Sequence, residues 1–128
     1  EMLETHKTAA PESQYIGREE IVIKKLDSIF YQFCHKIDKV MLKIDAQGFE
    51  KNIIDRAEES LKNITLIQLE CSIISLYNNE LLLPEMIKYL EQLKFVLTSI
   101  ENEFENPRNH HLLQVNCVFL NTNLTLKN

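Results

Sequence analysis

Glycine is scarce in this chain of 128 residues: Gly17 and Gly48 are the only two. Average usage would supply roughly nine. A dinucleotide fingerprint and a Walker A loop each need at least two close glycines, so no glycine-rich phosphate loop is present. Tryptophan is absent, and there are only three prolines. Long apolar runs are missing too: no stretch approaches the ~18 residues that a membrane span requires. The opening EMLETHKTAAPES lacks the apolar core of a signal peptide. The chain starts at Glu1, which fits a processed or excised piece. A basic excess is lacking as well, since the formal net charge is -5 and the sequence pI is about 5.4. That balance excludes a dedicated nucleic-acid binder with a basic face. The three cysteines, Cys34, Cys71 and Cys117, are odd in number and far apart. They fit reduced thiols in a cytoplasmic protein better than a disulfide framework. The N-x-T sequons at Asn63 and Asn123 then read as chance matches.

What is present is ordinary globular material. Hydrophobic residues make up 45% and charged residues 26%, enough for one domain with a modest core. Residues 1–20 read as an exposed polar lead-in, and residues 123–128 as a tail. IVIKK at 21–25 reads as an edge or accessory strand. Leu26, Phe30, Phe33 and Ile37 fall at helical spacing, which predicts a helix over 27–36 with Asp27 as N-cap. VMLKI at 40–44 reads as a strand buried on both faces. The stretch 50–62 places Ile53, Ile54, Ala57 and Leu61 on one helical face. ITLIQLE at 64–70 is a second buried strand. Pro84 suits the first turn of a helix whose apolar face is Met86, Ile87, Leu90 and Leu93. FVLTSI at 95–100 and LLQVNCVFL at 112–120 are two more strands, joined by a polar loop. Alternation of strands and helices predicts an α/β fold with a mostly parallel sheet. The last two strands have no helix between them, so they should pair antiparallel.

Ligands of open α/β sheets bind beyond the C-terminal ends of the parallel strands. Asp45 and Glu70 stand at two such ends and should face one crevice if their strands are neighbours. Glu50 opens the following helix, where a carboxylate serves catalysis, binds a cation or caps the helix. Lys43 snorkels to solvent from the strand end or pairs near the crevice. His110 and His111 are adjacent and lack further ligands at metal-binding spacing, so no metal site is expected and the loop reads as solvated or substrate-facing. Tyr77 is either a hydroxyl donor in the cleft or packing with a wet tip. Cys71 has no identifiable histidine partner for nucleophilic chemistry.

Val40–Glu50, VMLKIDAQGFE, resembles the K-I-D-x-[QE]-G-[FYA]-E signature of the FkbM-type methyltransferases. Upstream, IVIKKLDSIF resembles that family's valine-rich strand followed by L-D-x-I. Downstream, ITLIQLECSIISLYNNE, KFVLTSIENEF and LLQVNCVFLN resemble its later segments in order, so the likeness covers about residues 20–121. Lys94 stands where family members often have glycine, and Asn116 where they often have aspartate. The donor-binding glycine loop and the ribose-binding acid of the family's first strands have no counterpart here.

The resemblance implies the fourth to seventh strands of a Rossmann-like class I fold, partial in this chain, with the seventh strand antiparallel and the order 4-5-7-6. It implies S-adenosylmethionine as methyl donor and a small-molecule or glycan hydroxyl as acceptor. It assigns Asp45 as base or acceptor-orienting residue, with Gln47 and Glu50 in support and Glu70 on the acceptor side. Asp45, Gln47 and Gly48 would lie toward the donor, and Tyr77 and His110 toward the substrate. The chain by itself is then expected to bind donor poorly and to be inactive or nearly so. A competing expectation is a non-catalytic interaction module. In that reading VMLKI is an unpaired apolar edge, and the chain dimerises across it, exchanges its N-terminal segment, or associates with a missing N-terminal half. A metal-dependent hydrolase built on Asp45, Glu70 and His110 is a third reading.

Overall fold

The computed structural model describes residues 1–13 and 15–125. The elements run α1 (Glu4–Ala9), α2 (Leu26–Phe33), β1 (Val40–Ile44), α3 (Glu50–Ile54), α4 (Glu58–Leu61), β2 (Ile64–Ser72), α5 (Leu83–Gln92), β3 (Phe95–Glu105), β4 (Leu112–Asn121) and α6 (Thr122–Thr125). The protein is α/β, with a four-stranded mixed sheet in the order β1-β2-β4-β3. That is the order 4-5-7-6 which the resemblance implies. The expectation of a mostly parallel sheet does not hold. Only β1–β2 is a parallel ladder, and β4 pairs antiparallel with both β2 and β3. The cause is the hairpin: β4 returns directly from β3 and inserts beside β2, so β3 never touches a parallel neighbour.

The main core lies on one face of the sheet. Ile67, Leu69 and Cys71 of β2 alternate inward, as do Val115, Cys117 and Phe119 of β4. Phe30, Ile54, Leu61, Met86 and Leu90 cover them from the helices. Burial of such side chains stabilises by about 1.5–3 kcal/mol each. Because these helices all pack on this face, β1 is buried on one side only, which corrects the two-sided reading. Val40, Leu42 and Ile44 point inward, while Met41 is 50% exposed and Lys43 is exposed.

Several local expectations change for physical reasons. Residues 21–25 form no ladder and are exposed, because nothing in the chain pairs with them among the described residues. The lead-in is not wholly exposed. Met2 bridges to Tyr77, and Met2 and Ala9 join Leu76, Tyr77 and Leu113 in a second small core. The 50–62 helix breaks after Ile54 and restarts at Glu58. Asp27 is not the N-cap of α2, a position held by Lys25. Instead its carboxylate caps α4, accepting the Glu59 N–H at 3.2 Å, the Ser60 N–H at 2.8 Å and the Ser60 hydroxyl at 2.6 Å. β3 runs on to Glu105, so the connecting loop shortens to residues 106–111. Lys94 holds a φ of 68° in the turn before β3, the left-handed region that favours the glycine expected there. The expected tail at 123–128 begins inside a helical turn, Thr122–Thr125, and residues 126–128 lie outside the described residues.

Asp27 therefore ties α2 to α4 across 33 residues of sequence. Burial raises its carboxyl pKa, but the hydrogen bonds from Ser60 and Glu59 outweigh this and leave it below the usual range. Its stabilising contribution is thus present at neutral pH and lost as acid protonates it. Asp27→Ala is expected to cost about 1–2 kcal/mol at neutral pH in urea unfolding, with a smaller difference in acid. Equal stability of the two proteins at neutral pH would show that the cap contributes nothing.

Candidate functional site at the carboxylate rim

The parallel register sets Ile44 beside Leu69, so the segments that follow the two strands share one rim. Asp45 follows β1 directly and is exposed. Glu70 lies on β2, half-buried, beside Asn116 of β4. Burial raises the Glu70 carboxyl, and the charges of Asp45 and Glu103 push it further in the same direction, with Lys43 opposing them. The rim therefore collects carboxylates that feel one another. Asn116 accepts a hydrogen bond from the Gln68 amide at 2.9 Å.

The loop from Asp45 to Glu50 is held closed from within. The buried Glu50 carboxylate accepts the Ala46 N–H at 3.1 Å and the Gly48 N–H at 3.2 Å. These bonds anchor the loop to the first turn of α3. The Gln47 amide donates to Asp45 at 2.9 Å. The Tyr77 hydroxyl donates to the Gln47 side-chain oxygen, which joins the loop to the segment after β2. Burial first, then the Glu80 charge, pushes the Tyr77 phenol up to about 12, so it stays protonated and remains a donor. Gln47 and Gly48 take positive φ values of 52° and 91°. A Cβ on Gly48 would stand 2.7 Å from the Tyr77 Cβ.

Tyr77 is itself fixed from several directions. Glu80 accepts the Leu76 N–H at 2.5 Å, the Tyr77 N–H at 3.0 Å and the Ser72 hydroxyl at 2.7 Å. The buried His6 ring tilts against Tyr77 and Phe104 at 5.4 and 5.5 Å between centroids. Sequence reading missed Glu80 and His6. Glu80 sits in an irregular stretch, and His6 lies about seventy residues from the ring it touches.

The structure thus brings together Asp45, Gln47, Gly48, Glu50, Glu70 and Tyr77. It places His110 apart, exposed in the 106–111 loop with a φ of 58°, its Nδ1 3.4 Å from Glu105. Among the described residues, no three His, Cys, Asp or Glu side chains could hold a metal ion. Contact with Cys117, followed by burial, raises the Cys71 thiol and disfavours the thiolate. A concavity of about 550 Å³ lies beside α3 and α4, over Lys25, Phe49 and Arg56, and neither Asp45 nor Glu70 lines it. It is strongly polar and is not where the strand ends converge, so the rim remains the candidate site.

Two outcomes follow from this geometry. Gly48→Ala is expected to destabilise by about 1–3 kcal/mol, since neither the backbone nor Tyr77 has room for the methyl. A fully stable variant in urea unfolding would disprove the close approach. Glu70 behaves in the opposite sense to Asp27. The folded chain holds its proton more tightly than the unfolded chain does, so its contribution turns unfavourable as pH rises through its folded value. Glu70→Gln is expected to raise the neutral-pH melting midpoint by roughly 1–3 °C, a gain that fades below about pH 4. A lowered midpoint at neutral pH would contradict it.

No helix among the described residues is long and apolar enough to cross a membrane. No curated protein and no solved structure gives a significant match to the chain. A family model, the methyltransferase FkbM domain, matches residues 2–97. It spans α1, the Asp45–Glu50 loop, the rim and Tyr77. The match covers well over half of the chain and agrees with the motif at 40–50, so the chain belongs to the FkbM methyltransferase domain family.

Proposed function

We propose that this chain carries the acceptor-side half of an S-adenosylmethionine-dependent methyltransferase with a Rossmann-like class I fold. Its acceptor is a hydroxyl of a sugar or other small metabolite. The observation that carries the reading is the apposition of Asp45 and Glu70 at the C-terminal ends of the one parallel strand pair. Family membership supports methyl transfer in general.

The residues present fit one end of the donor. An exposed Asp45 beside a half-buried Glu70 suits the cationic sulfonium end. Gly48 does not add a cradle for the rest, because Tyr77 fills the space its missing side chain leaves. S-adenosylmethionine, when bound, supplies a methyl group on a sulfonium leaving group. The chain's own part is positioning and proton transfer. Asp45, oriented by Gln47, takes the proton from the acceptor hydroxyl as that oxygen gains the methyl. Glu70 holds its own proton more tightly and orients the hydroxyl on the acceptor side. Glu50 acts through the loop, as a positioning residue for Asp45. Tyr77 keeps Gln47 in place, and His110 lies where a larger acceptor would extend.

Methyl-labelled donor incubated with hydroxylated sugars and small metabolites tests this reading. In a protein that also carries the donor-binding half, label should appear as a methyl ether, and Asp45→Asn should slow transfer about 10²–10⁴-fold without lowering the melting midpoint. S-adenosylmethionine should also shift the backbone amide resonances of Asp45, Gln47 and Glu70. S-adenosylhomocysteine, which lacks the sulfonium charge, should shift them less. Resonances unmoved by donor, or unchanged transfer in the Asn variant, would overturn the proposal.

A further inference from the structure

One row of the sheet sets an amide between two carboxylates. β2 pairs Glu70 with Asn116, and β3 pairs Glu101 with the same Asn116. Residues directly opposite one another leave the same face, so the three side chains are neighbours. Asn116 is the middle one and is half-buried. Its Nδ2 carries two N–H donors, and a carboxylate stands on either side. Neither carboxylate takes a hydrogen bond from it among the described residues.

A donor that bonds to neither of two adjacent acceptors has been turned away from them. Gln68 does the turning. It lies two residues before Glu70 on β2, toward the starting end of the strand. Its Nε2 donates to the Asn116 Oδ1 at 2.9 Å. An amide is planar, so with Oδ1 drawn toward the starting end, Nδ2 faces the finishing end. At that end Asp45 follows β1. Gln68 and Asn116 thus hold a pre-set donor at the rim, and no described residue takes it.

The other rim side chains supply acceptors. β1 runs beside β2 and β2 beside β4, so Asp45, Glu70 and Asn116 follow three neighbouring backbone lines. Such lines stand about 4.8 Å apart. The sequence across them is acceptor, acceptor, donor. A hydroxyl between Asp45 and Glu70 can only donate. A hydroxyl between Glu70 and Asn116 donates to the first and accepts from the second. A lone hydroxyl fills one gap, whereas hydroxyls on adjacent carbons fill both.

We infer that Asn116 is a specificity-determining residue of the rim, and that the acceptor is a vicinal diol, as in a sugar or other polyol. Nδ2 of Asn116 donates to the oxygen next to the one that is methylated, and that second hydroxyl donates to Glu70. The reacting hydroxyl keeps its place beside Asp45. Asn116 selects the acceptor and takes no part in moving its proton. Aspartate at this position would offer no donor and would set a third carboxylate in the row. This role rests on the methyl-transfer reading of the rim and narrows its acceptor.

Methyl glycosides with adjacent free hydroxyls, set against their monodeoxy derivatives, test it. In this chain the glycoside should shift the Asn116 side-chain amide resonances, and the derivative lacking the neighbouring hydroxyl should leave them in place. In a protein that also carries the donor-binding half, kcat/KM should favour the diol roughly three- to tenfold. Asn116→Asp and Asn116→Ala should each bring that preference close to one, with kcat/KM for the deoxy acceptor kept within about twofold. Equal transfer to both acceptors, or a preference that survives both substitutions, would overturn the role of Asn116 and leave methyl transfer standing. No transfer to either acceptor, with the rim resonances unmoved by donor, would overturn the methyl-transfer reading and this role with it.

Discussion

The rim depends on one close approach: the backbone of Gly48 against the Cβ of Tyr77. The contact leaves no room for any side chain at position 48, and the φ of 91° would strain one in any case. Everything around it serves to hold that contact. Glu50 ties the loop down from below through two N–H groups. Glu80 fixes the backbone of Leu76 and Tyr77 from the other side. The Tyr77 hydroxyl then reaches Gln47, and Gln47 reaches Asp45. In a chain with so few glycines, one stands where the backbone must turn left-handed and pass another segment at the shortest possible distance.

Much of this was legible in the sequence, for reasons that differ by residue. Asp45, Gln47, Gly48 and Glu50 lie within six residues, so a single motif carries the loop. β1, β2 and the start of β4 announce themselves as apolar runs, and α5 through Pro84 and its 3.6-residue period. The misreadings share a cause: the deciding partner is far away in sequence. Ile21–Ile23 has the composition of a strand but lacks a neighbour within the chain. The 50–62 stretch keeps a helical pattern across its break, because Ile54 and Leu61 face the core on either side. What permits the restart is Asp27, more than thirty residues upstream. β3 continues through Asn102–Glu105, where composition suggests a loop, because pairing with β4 overrides local polarity. Glu80 and His6 carry no local signal, since their importance lies in what they touch.

The one-sided sheet links the fold to the proposed site. A helix layer on one face leaves the other face as a gradient. The row through Met41, Leu66, Leu120 and Val96 is apolar, the next row from Lys43 to Gln68 and Val118 is mixed, and the row through Glu70, Asn116 and Glu101 is acidic. Apolar character therefore sits at the starting ends of β1 and β2 and charge at their finishing ends.

The concentration of acid at the rim argues for a task other than stability. Asp45, Glu103 and Glu50 push the Glu70 carboxyl up beyond what burial does, with Lys43 opposing them, and Glu101 stands in the same row as Glu70 across Asn116. A folded chain gains nothing from setting a half-buried carboxylate beside others of the same sign, because desolvation and repulsion both work against it. Glu50 escapes that cost by accepting two backbone N–H groups, and Asp27 by accepting three donors. No such bond appears among the contacts of Glu70. Its raised pKa is the free-energy difference left over, and it is relieved in only two ways: a proton arrives, or a positive charge does. In the proposed reading the sulfonium of the donor supplies that positive charge beside Glu70, while the proton of the acceptor hydroxyl goes to the neighbouring Asp45.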